Sequence, residues 1–318
     1  MPNNNNNIFG LKNLPKNVVA GPNVPTGNLL GLNAEAPASV SVSAGLPANL
    51  RNLAAPYDAA FFFDNDTRYI SQVSACAPKI KSHKVAGREY LRGTPIGGTE
   101  YKNFMANMSG VGEEFGRTIA VLIALQGARG VPYEEMIDIG SGIAPMDIAV
   151  LKTWIGEHTG QKLAILIDYD RTLTQIEGSY LLGNSFEEMK SILAANKVPS
   201  DTLTVEGFVE YYTGGHERME MLQKMFDDIY ATPNLSVFIL TNNPACFRNE
   251  GLFREIIGVL TKGRPFGLLC SAQTGSNKKV AIQQGGPMLK GLCPAAGGRR
   301  RIKKTKKHHK KRRLTRRR

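Results

Sequence analysis

The chain has 318 residues, of which 42% are hydrophobic and 21% charged, enough to bury a sizeable core and too apolar for a disordered polymer. Its formal charge of +13 is unevenly placed: Arg299–Arg318 carries 14 Lys/Arg and no acid, leaving 26 bases against 27 acids in everything before it. A nearly neutral body with a basic appendage excludes a protein basic throughout, and no apolar run approaches the ~18 residues of a membrane span.

The first 55 residues are rich in Asn, Pro, Gly and small side chains, with Glu35 the only acid, and read as a flexible arm. The start of the chain lacks the charged n-region and apolar stretch of a signal peptide. Four cysteines (Cys76, Cys246, Cys270, Cys293) form no C-x-x-C pair and suit neither a zinc site nor a disulfide scaffold, so they read as thiols in a reducing compartment. Together these features predict an intracellular protein, cytoplasmic or nuclear.

From Ala59 the pattern becomes globular. Phe61–Phe63 predicts a short buried strand ending in Asp64–Asn65–Asp66–Thr67, then a helix to about Cys76 and a second strand near Ile80–Val85. A glycine-rich stretch from Gly93 to Gly112 precedes a helical run from Glu113 to about Ala128. Pro145–Glu157 has Ile148, Leu151, Trp154 and Ile155 at helical spacing, with Pro145 suited to a first turn. Leu163–Ile167 is an unbroken apolar run running into Asp168, as expected of a central parallel strand covered on both faces. A mostly helical insert spans 175–233, its last helix placing Leu222, Met225, Phe226 and Ile229 on one side. Val237–Leu240 then forms a third strand, ending at Thr241–Asn242–Asn243–Pro244. This alternation predicts an α/β fold with an open parallel sheet, over 56–295, with ligands at the carboxyl ends of the strands.

The chemistry concentrates at Asp168–Tyr169–Asp170–Arg171–Thr172. Two carboxylates at i and i+2 past a strand end can face one cleft, where they repel unless a cation or proton lies between them. Mg2+ suits such oxygen ligands and bridges to phosphate. One carboxylate can attack phosphorus while the other protonates the leaving oxygen. The alternative is a solvated turn with an Asp helix cap.

An apolar strand followed by D-x-D-x-T resembles the first motif of the haloacid dehalogenase-like hydrolases. Val237–Leu240 with Thr241 resembles their second motif, and Lys278 or Lys279, with Lys279 slightly favoured, occupies the place of their third. The three follow in order about 70 and then about 38 residues apart. The resemblance implies an Mg2+-dependent phosphomonoester hydrolase in which Asp168 is the nucleophile and Asp170 the general acid/base. Thr172 would orient the nucleophile loop, Thr241, Asn242 and the lysine would hold phosphate, and the 175–233 insert would be a cap that excludes water and selects substrate. Arg218 either reaches that substrate or is a surface or capping residue.

No Asp or Glu follows Lys279, so the family's acidic fourth motif is missing from its usual place. Either the site is degenerate, or Phe61–Asp66 supplies the motif from upstream, by circular permutation. In the second case Asp64 is the better metal ligand and Asp66 the other candidate, joining Asp168 and the backbone carbonyl of Asp170.

Two other readings compete. Asp138–Ile139–Gly140–Ser141–Gly142 resembles the glycine loop of S-adenosylmethionine-dependent methyltransferases, although the preceding Tyr133–Ile137 is poor for a central strand. The other is a non-catalytic nucleic-acid-binding or structural protein. In the tail, predicted disordered over 296–318, Lys303, Lys304, Lys306, Lys307, Lys310, Lys311, Arg312 and Arg313 can neutralise phosphates of a nucleic acid or other polyanion, or serve as a nuclear-targeting run. No aromatic residue is interleaved there for base stacking.

Overall fold

The computed structural model describes residues 56–85, 91–127, 136–140, 142–176, 181 and 183–293. The arm expected over 1–55 and the basic tail, with all eight of its candidate Lys/Arg residues, lie outside the described residues. Five strands make one parallel sheet: β1 (Ala59–Asp64), β2 (Ile80–Lys84), β5 (Leu163–Ile167), β6 (Leu235–Thr241) and β7 (Gly267–Cys270), in the spatial order β2-β1-β5-β6-β7. The α/β fold with an open parallel sheet is thus as the sequence predicted.

Every residue of β1 and β5 is buried, because helices cover both faces. The period of two divides the strands' side chains between two cores. Phe61, Phe63, Ile165, Ile167, Val237 and Ile239 face one core; Ala60, Phe62, Ala164, Leu166, Phe238 and Leu240 face the other. The unalternated apolar spelling of these strands follows from that double coverage.

The thinner second face is covered by α1 (Thr67–Ser74), α10 (Lys278–Gln284) and α11 (Pro287–Lys290), through Val73, Ala281, Ile282 and Leu289. The first face carries α4 (Pro145–Glu157), α7 (His216–Ala231) and α9 (Glu250–Thr261). Leu151 and Trp154, Leu222, Met225, Phe226 and Ile229, and Phe253, Ile256 and Ile257 pack there, as the helical spacing of the first two had indicated.

Several elements were unseen in the sequence or placed differently. β7 is short and begins with Gly267, where a Cβ would strike the Phe238 ring. β3 (Leu91–Pro95) and β4 (Met136–Ile139) form a separate antiparallel pair, which accounts for the polar spelling before Gly140. The glycine-rich stretch is partly helical, with α2 (Thr99–Met105) before α3 (Gly110–Gly127).

The 175–233 insert is not a lid standing apart from the sheet. Its helices α5 (Phe186–Ala195), α6 (Val205–Thr213) and α7 share the first core with β1 and β5. α6 is buried at every position from Gly207 to Thr213, lying against α3, where Gly207 and Gly116 allow close approach to Val111 and Tyr211. An element buried on all sides cannot open and close without exposing that core.

All four cysteines are paired, which corrects the reading of free thiols. Cys76, just past α1, bonds Cys293 with Cα atoms 4.7 Å apart, and Cys246 bonds Cys270 at 5.8 Å. Both separations fit disulfide geometry, and spacing along the chain carries no information on partners 217 residues apart. The cysteines therefore lend no support to a reducing compartment. No described helix is long and apolar enough to cross a membrane. The two ends of the described body also meet: Tyr57 N donates to Met288 O at 3.4 Å, and Gly291 lies beside Pro56. Peptide mapping without reductant is expected to recover both linked pairs. Cys76→Ser/Cys293→Ser, which reopens so long a loop, should lower the unfolding free energy by about 2–5 kcal/mol in denaturant titration. Four alkylatable thiols in the native protein would contradict the pairing.

Candidate active site

β1 and β5 are neighbours in the sheet, but the chain leaves them in opposite directions, β1 toward β2 and β5 toward β6 and β7. Such a switch point opens a crevice at the carboxyl ends of the strands. Register places Phe63 beside Ile167, and Asp168 N donates to Phe63 O at 3.0 Å, so Asp64 and Asp168 emerge side by side. Both carboxylates are buried, and the Lys278 ammonium lies between them, 2.6 Å from Asp64 Oδ2 and 2.5 Å from Asp168 Oδ1.

Lys278 is the first residue of α10, whose cap Asn277 accepts from Val280 N at 3.1 Å, while Gln72 of α1 accepts from Lys278 N at 3.0 Å. A cation opposes the dipole at a helix start, a loss of a few tenths to 1 kcal/mol that two charge-assisted bonds outweigh. The Tyr69 and Phe62 rings lie 4.4 and 5.6 Å from Nζ. Burial alone would push the ammonium down, but Asp168 and Asp64 together raise it, keeping Lys278 charged. Burial, and then repulsion from Asp168, push the Asp64 carboxyl up to about 7, against the pull of Lys278. Lys279, the slightly favoured candidate, is partly exposed on the outer side of α10; the buried lysine is Lys278.

After β5 the chain makes one wide turn, Tyr169–Leu173, with Arg171 at φ 59°. Tyr169 turns inward onto Phe253, with ring centroids 4.7 Å apart, so Asp168 and Asp170 both face the cleft as the i, i+2 argument required. Thr172 Oγ1 donates to Asp168 Oδ2 at 3.3 Å, and Asn243 Nδ2 donates to Asp170 Oδ1 at 3.2 Å. Thr241 is fully buried beneath the cleft and accepts from Asn243 N at 3.0 Å, while Asn242 and Asn243 form the wall itself. The bonding of Asn243 to Asp170 has no counterpart in the sequence reading, which named Asn242 but not Asn243.

Asp66 does not join the carboxylate pair. It is the N-cap of α1, accepting from Arg68 N at 2.8 Å, and its ion pair with Arg68 at 2.6 Å holds its carboxyl below the usual range. Asp66 N in turn donates to Asp64 Oδ1 at 2.7 Å.

Arg218 is neither a substrate contact nor a surface residue. Its buried guanidinium donates to the carbonyls of Leu173 (2.6 Å), Thr213 (2.7 Å), Ile143 and Thr172 (both 3.2 Å), tying the Tyr169–Leu173 turn to the C-terminal end of α6, which it caps, and to the loop before α4. Burial pushes its pKa down to about 9, which leaves it charged at neutral pH. The glycines of Asp138–Gly142 serve this contact: a Cβ on Gly142, at φ +56°, would meet Arg218 Nη2 and lie 2.6 Å from Thr172 O, and Gly140 lies against Arg171. Among the described residues none of Asp138, Ile139, Gly140 and Gly142 lines the cleft, so the methyltransferase-like loop gains no support.

The cleft holds about 760 Å³ and is walled by Asp168, Asp170, Asn242 and Asn243, by Asp66, Arg68 and Tyr69 from the β1–α1 turn, and by Phe247, Arg248 and Asn249 around α8 (Ala245–Arg248). Of the 175–233 insert only Leu181 lines it among the described residues. The wall expected from the insert is built instead by α1 and α8.

Among the described residues no cage of three His, Cys, Asp or Glu ligands exists. The donor set nevertheless fits Mg2+, which typically takes one or two carboxylates and completes its shell with water and substrate phosphate. Asp64 and Asp168 offer two buried carboxylates side by side at the crevice, each with one oxygen bonded to Lys278. No protein-family model, curated protein or solved structure matches the chain.

Lys278→Met is expected to lower stability by about 3–5 kcal/mol in urea unfolding, because it leaves two buried carboxylates unpaired. Lys279→Met should change it by less than about 0.5 kcal/mol; equal effects would refute the assignment. Gly142→Ala should cost about 1–3 kcal/mol, from strain at positive φ and displacement of Arg218. A neutral result would mean that the turn is not held from this side.

Proposed function

We propose that this protein is a phosphomonoester hydrolase of the haloacid dehalogenase type, circularly permuted so that its fourth motif, at Asp64, precedes the first. The observation that carries this reading is the Asp64–Lys278–Asp168 cluster: residues from three distant segments, at one crevice, in the roles the resemblance assigns them. The meeting of Tyr57 with Met288 supports the permutation, since joining ends that close restores the usual order of motifs without moving an element.

In this mechanism Lys278 and Thr172 hold the two oxygens of Asp168, aiming the carboxylate along one line. Asp168 attacks the phosphorus of the bound ester. The bond from phosphorus to the leaving oxygen breaks, and Asp170, steadied by Asn243, gives that oxygen its proton. The product is an aspartyl-phosphate and a free alcohol. Asp170 then takes a proton from water, whose oxygen attacks the phosphorus, releasing inorganic phosphate and restoring the Asp168 carboxylate. Asn242 donates to the phosphoryl oxygens at the cleft wall. Mg2+, held by Asp64 and Asp168, would offset charge on the phosphoryl group. Phosphoryl transfer asks mainly for positioning and charge neutralisation, and these side chains supply both.

Release of phosphate from p-nitrophenyl phosphate with Mg2+ present is the direct test. Asp168→Asn should reduce turnover about a thousandfold or more and Asp170→Asn about a hundredfold or more, and chelation of divalent cations should abolish the activity. Turnover unaffected by Asp168→Asn would end this reading.

A further inference from the structure

Of the ion cluster, Asp168 alone reaches the cleft; among the described residues Asp64 and Lys278 are wholly buried and line none of it. The side chain that separates Lys278 from the water of the cleft is Tyr69. It lines the cleft, and its ring centroid is 4.4 Å from Lys278 Nζ, nearer than the 5.6 Å of Phe62. An ammonium has three N–H groups. Two of them donate to Asp64 and Asp168, and among the described residues no oxygen takes the third. The negative face of an aromatic ring is the acceptor that remains within reach.

α1 holds that ring in place. Tyr69, Gln72 and Val73 lie at i, i+3 and i+4 and so share one face of the helix. Val73 is buried in the second core, and Gln72 accepts from Lys278 N at 3.0 Å. One face of α1 thus meets Lys278 at both ends, at its backbone through Gln72 and at its ammonium through Tyr69. Burial pushes the Tyr69 hydroxyl above its ordinary range, so the ring meets Lys278 as a neutral phenol. The aim of Asp168 depends on this contact, because its second oxygen is held by the longer 3.3 Å bond from Thr172. Water admitted beside Lys278 would compete for its N–H groups and weaken both ion pairs.

We propose that Tyr69 is a positioning residue for phosphoryl transfer. Its ring face takes the third N–H of Lys278 and shuts water out of the ion cluster, so that the ammonium stays on Asp168 and the nucleophile stays aimed. This rests on the phosphatase reading. Tyr69 acts through Lys278 and not on the substrate, and it is the ring and not the hydroxyl that acts. An aliphatic side chain of similar bulk would exclude water but leave one N–H of a buried cation without a partner, which is costly. A misaimed nucleophile slows the chemical step more than it weakens substrate binding.

The test uses the full chain with Mg2+ and p-nitrophenyl phosphate and compares Tyr69→Ala, Tyr69→Leu and Tyr69→Phe. The Ala and Leu variants should each lose about tenfold or more in kcat with KM changed by less than about threefold. Tyr69→Phe, which keeps the ring, should restore kcat to within about twofold of the wild type. A Phe variant as slow as the Ala variant would make the hydroxyl the acting group and overturn the assignment. So would a Leu variant as fast as the wild type, or a loss confined to KM. Should Tyr69→Ala not fold, the comparison of Phe with Leu decides alone. If no ester is hydrolysed by the wild type, the phosphatase reading fails, and the contact with Lys278 is tested separately by acetic anhydride labelling and peptide mapping. Lys278 should be acetylated at least about tenfold more slowly than Lys279 in the wild type and in Tyr69→Phe, and should lose that protection in Tyr69→Ala. Equal protection of Lys278 in all three proteins overturns the contact.

Discussion

The Lys278 ammonium, buried between Asp64 and Asp168, is the interaction on which the rest depends. Each member alone would be an untenable buried charge. Together they bond β1, β5 and the start of α10, three segments separated by 104 and 110 residues, and so fix the relation of the thin helical layer to the sheet. The same arrangement sets the electrostatics of the crevice. One cation shared by two anions leaves a surplus of negative charge at the bottom, while guanidiniums stand at the lip, so the cleft is polarised along its depth.

Around this cluster the Tyr169–Leu173 turn is held largely through main-chain carbonyls, its own and those of neighbouring segments, which one buried side chain joins. Arg218 gathers four of them, and the close backbone approach at Gly142 lets it do so. The two helical layers then divide the work. The thick layer, including the insert, immobilises the turn from behind; the thin layer, with α1 and α10, supplies the lysine and part of the cleft's wall. The cleft wall accordingly comes not from the insert but in part from the segment after Thr241, where α8 contributes Phe247 and Arg248 and is bonded to the end of β7 through Cys246 and Cys270.

The central strands were legible because double burial writes them as unbroken apolar runs, and Asp64, Asp168 and Asp170 because each follows such a run at once. The choice between Lys278 and Lys279 was not legible. Adjacent lysines at the start of a short helix differ only in which way the helix turns, and that is set by Gln72 and Asn277 from outside it. Asp66 was ambiguous for a similar reason: a ligand and an N-cap share the same residue type, and Arg68 decided between them. Arg218 was misread because its partners are carbonyls, which the sequence does not display. The insert was read as a cap from its position between motifs, yet α6, spelled Gly-Phe-Val-Glu-Tyr-Tyr-Thr over its buried stretch, already had too few polar positions for a free-standing lid. The disulfides pair residues that only the finished fold brings together.

The placement of Asp64 ahead of Asp168, with Lys278 near the far end of the described body, has a consequence for the protein during its own synthesis. At roughly 5–20 residues per second, Lys278 leaves the ribosome about 10–40 s after Asp64, from which it is 214 residues distant. Until then β1 has no counter-ion for its terminal carboxylate, and once β5 arrives two like charges face each other at the point where the sheet should close. The nascent chain is thereby kept from sealing its central crevice early. The last described turns of helix, α10 and α11, complete the charge cluster and close the ring of chain between Cys76 and Cys293, so that Asp168 gains its counter-ion only when synthesis of the described body is nearly finished.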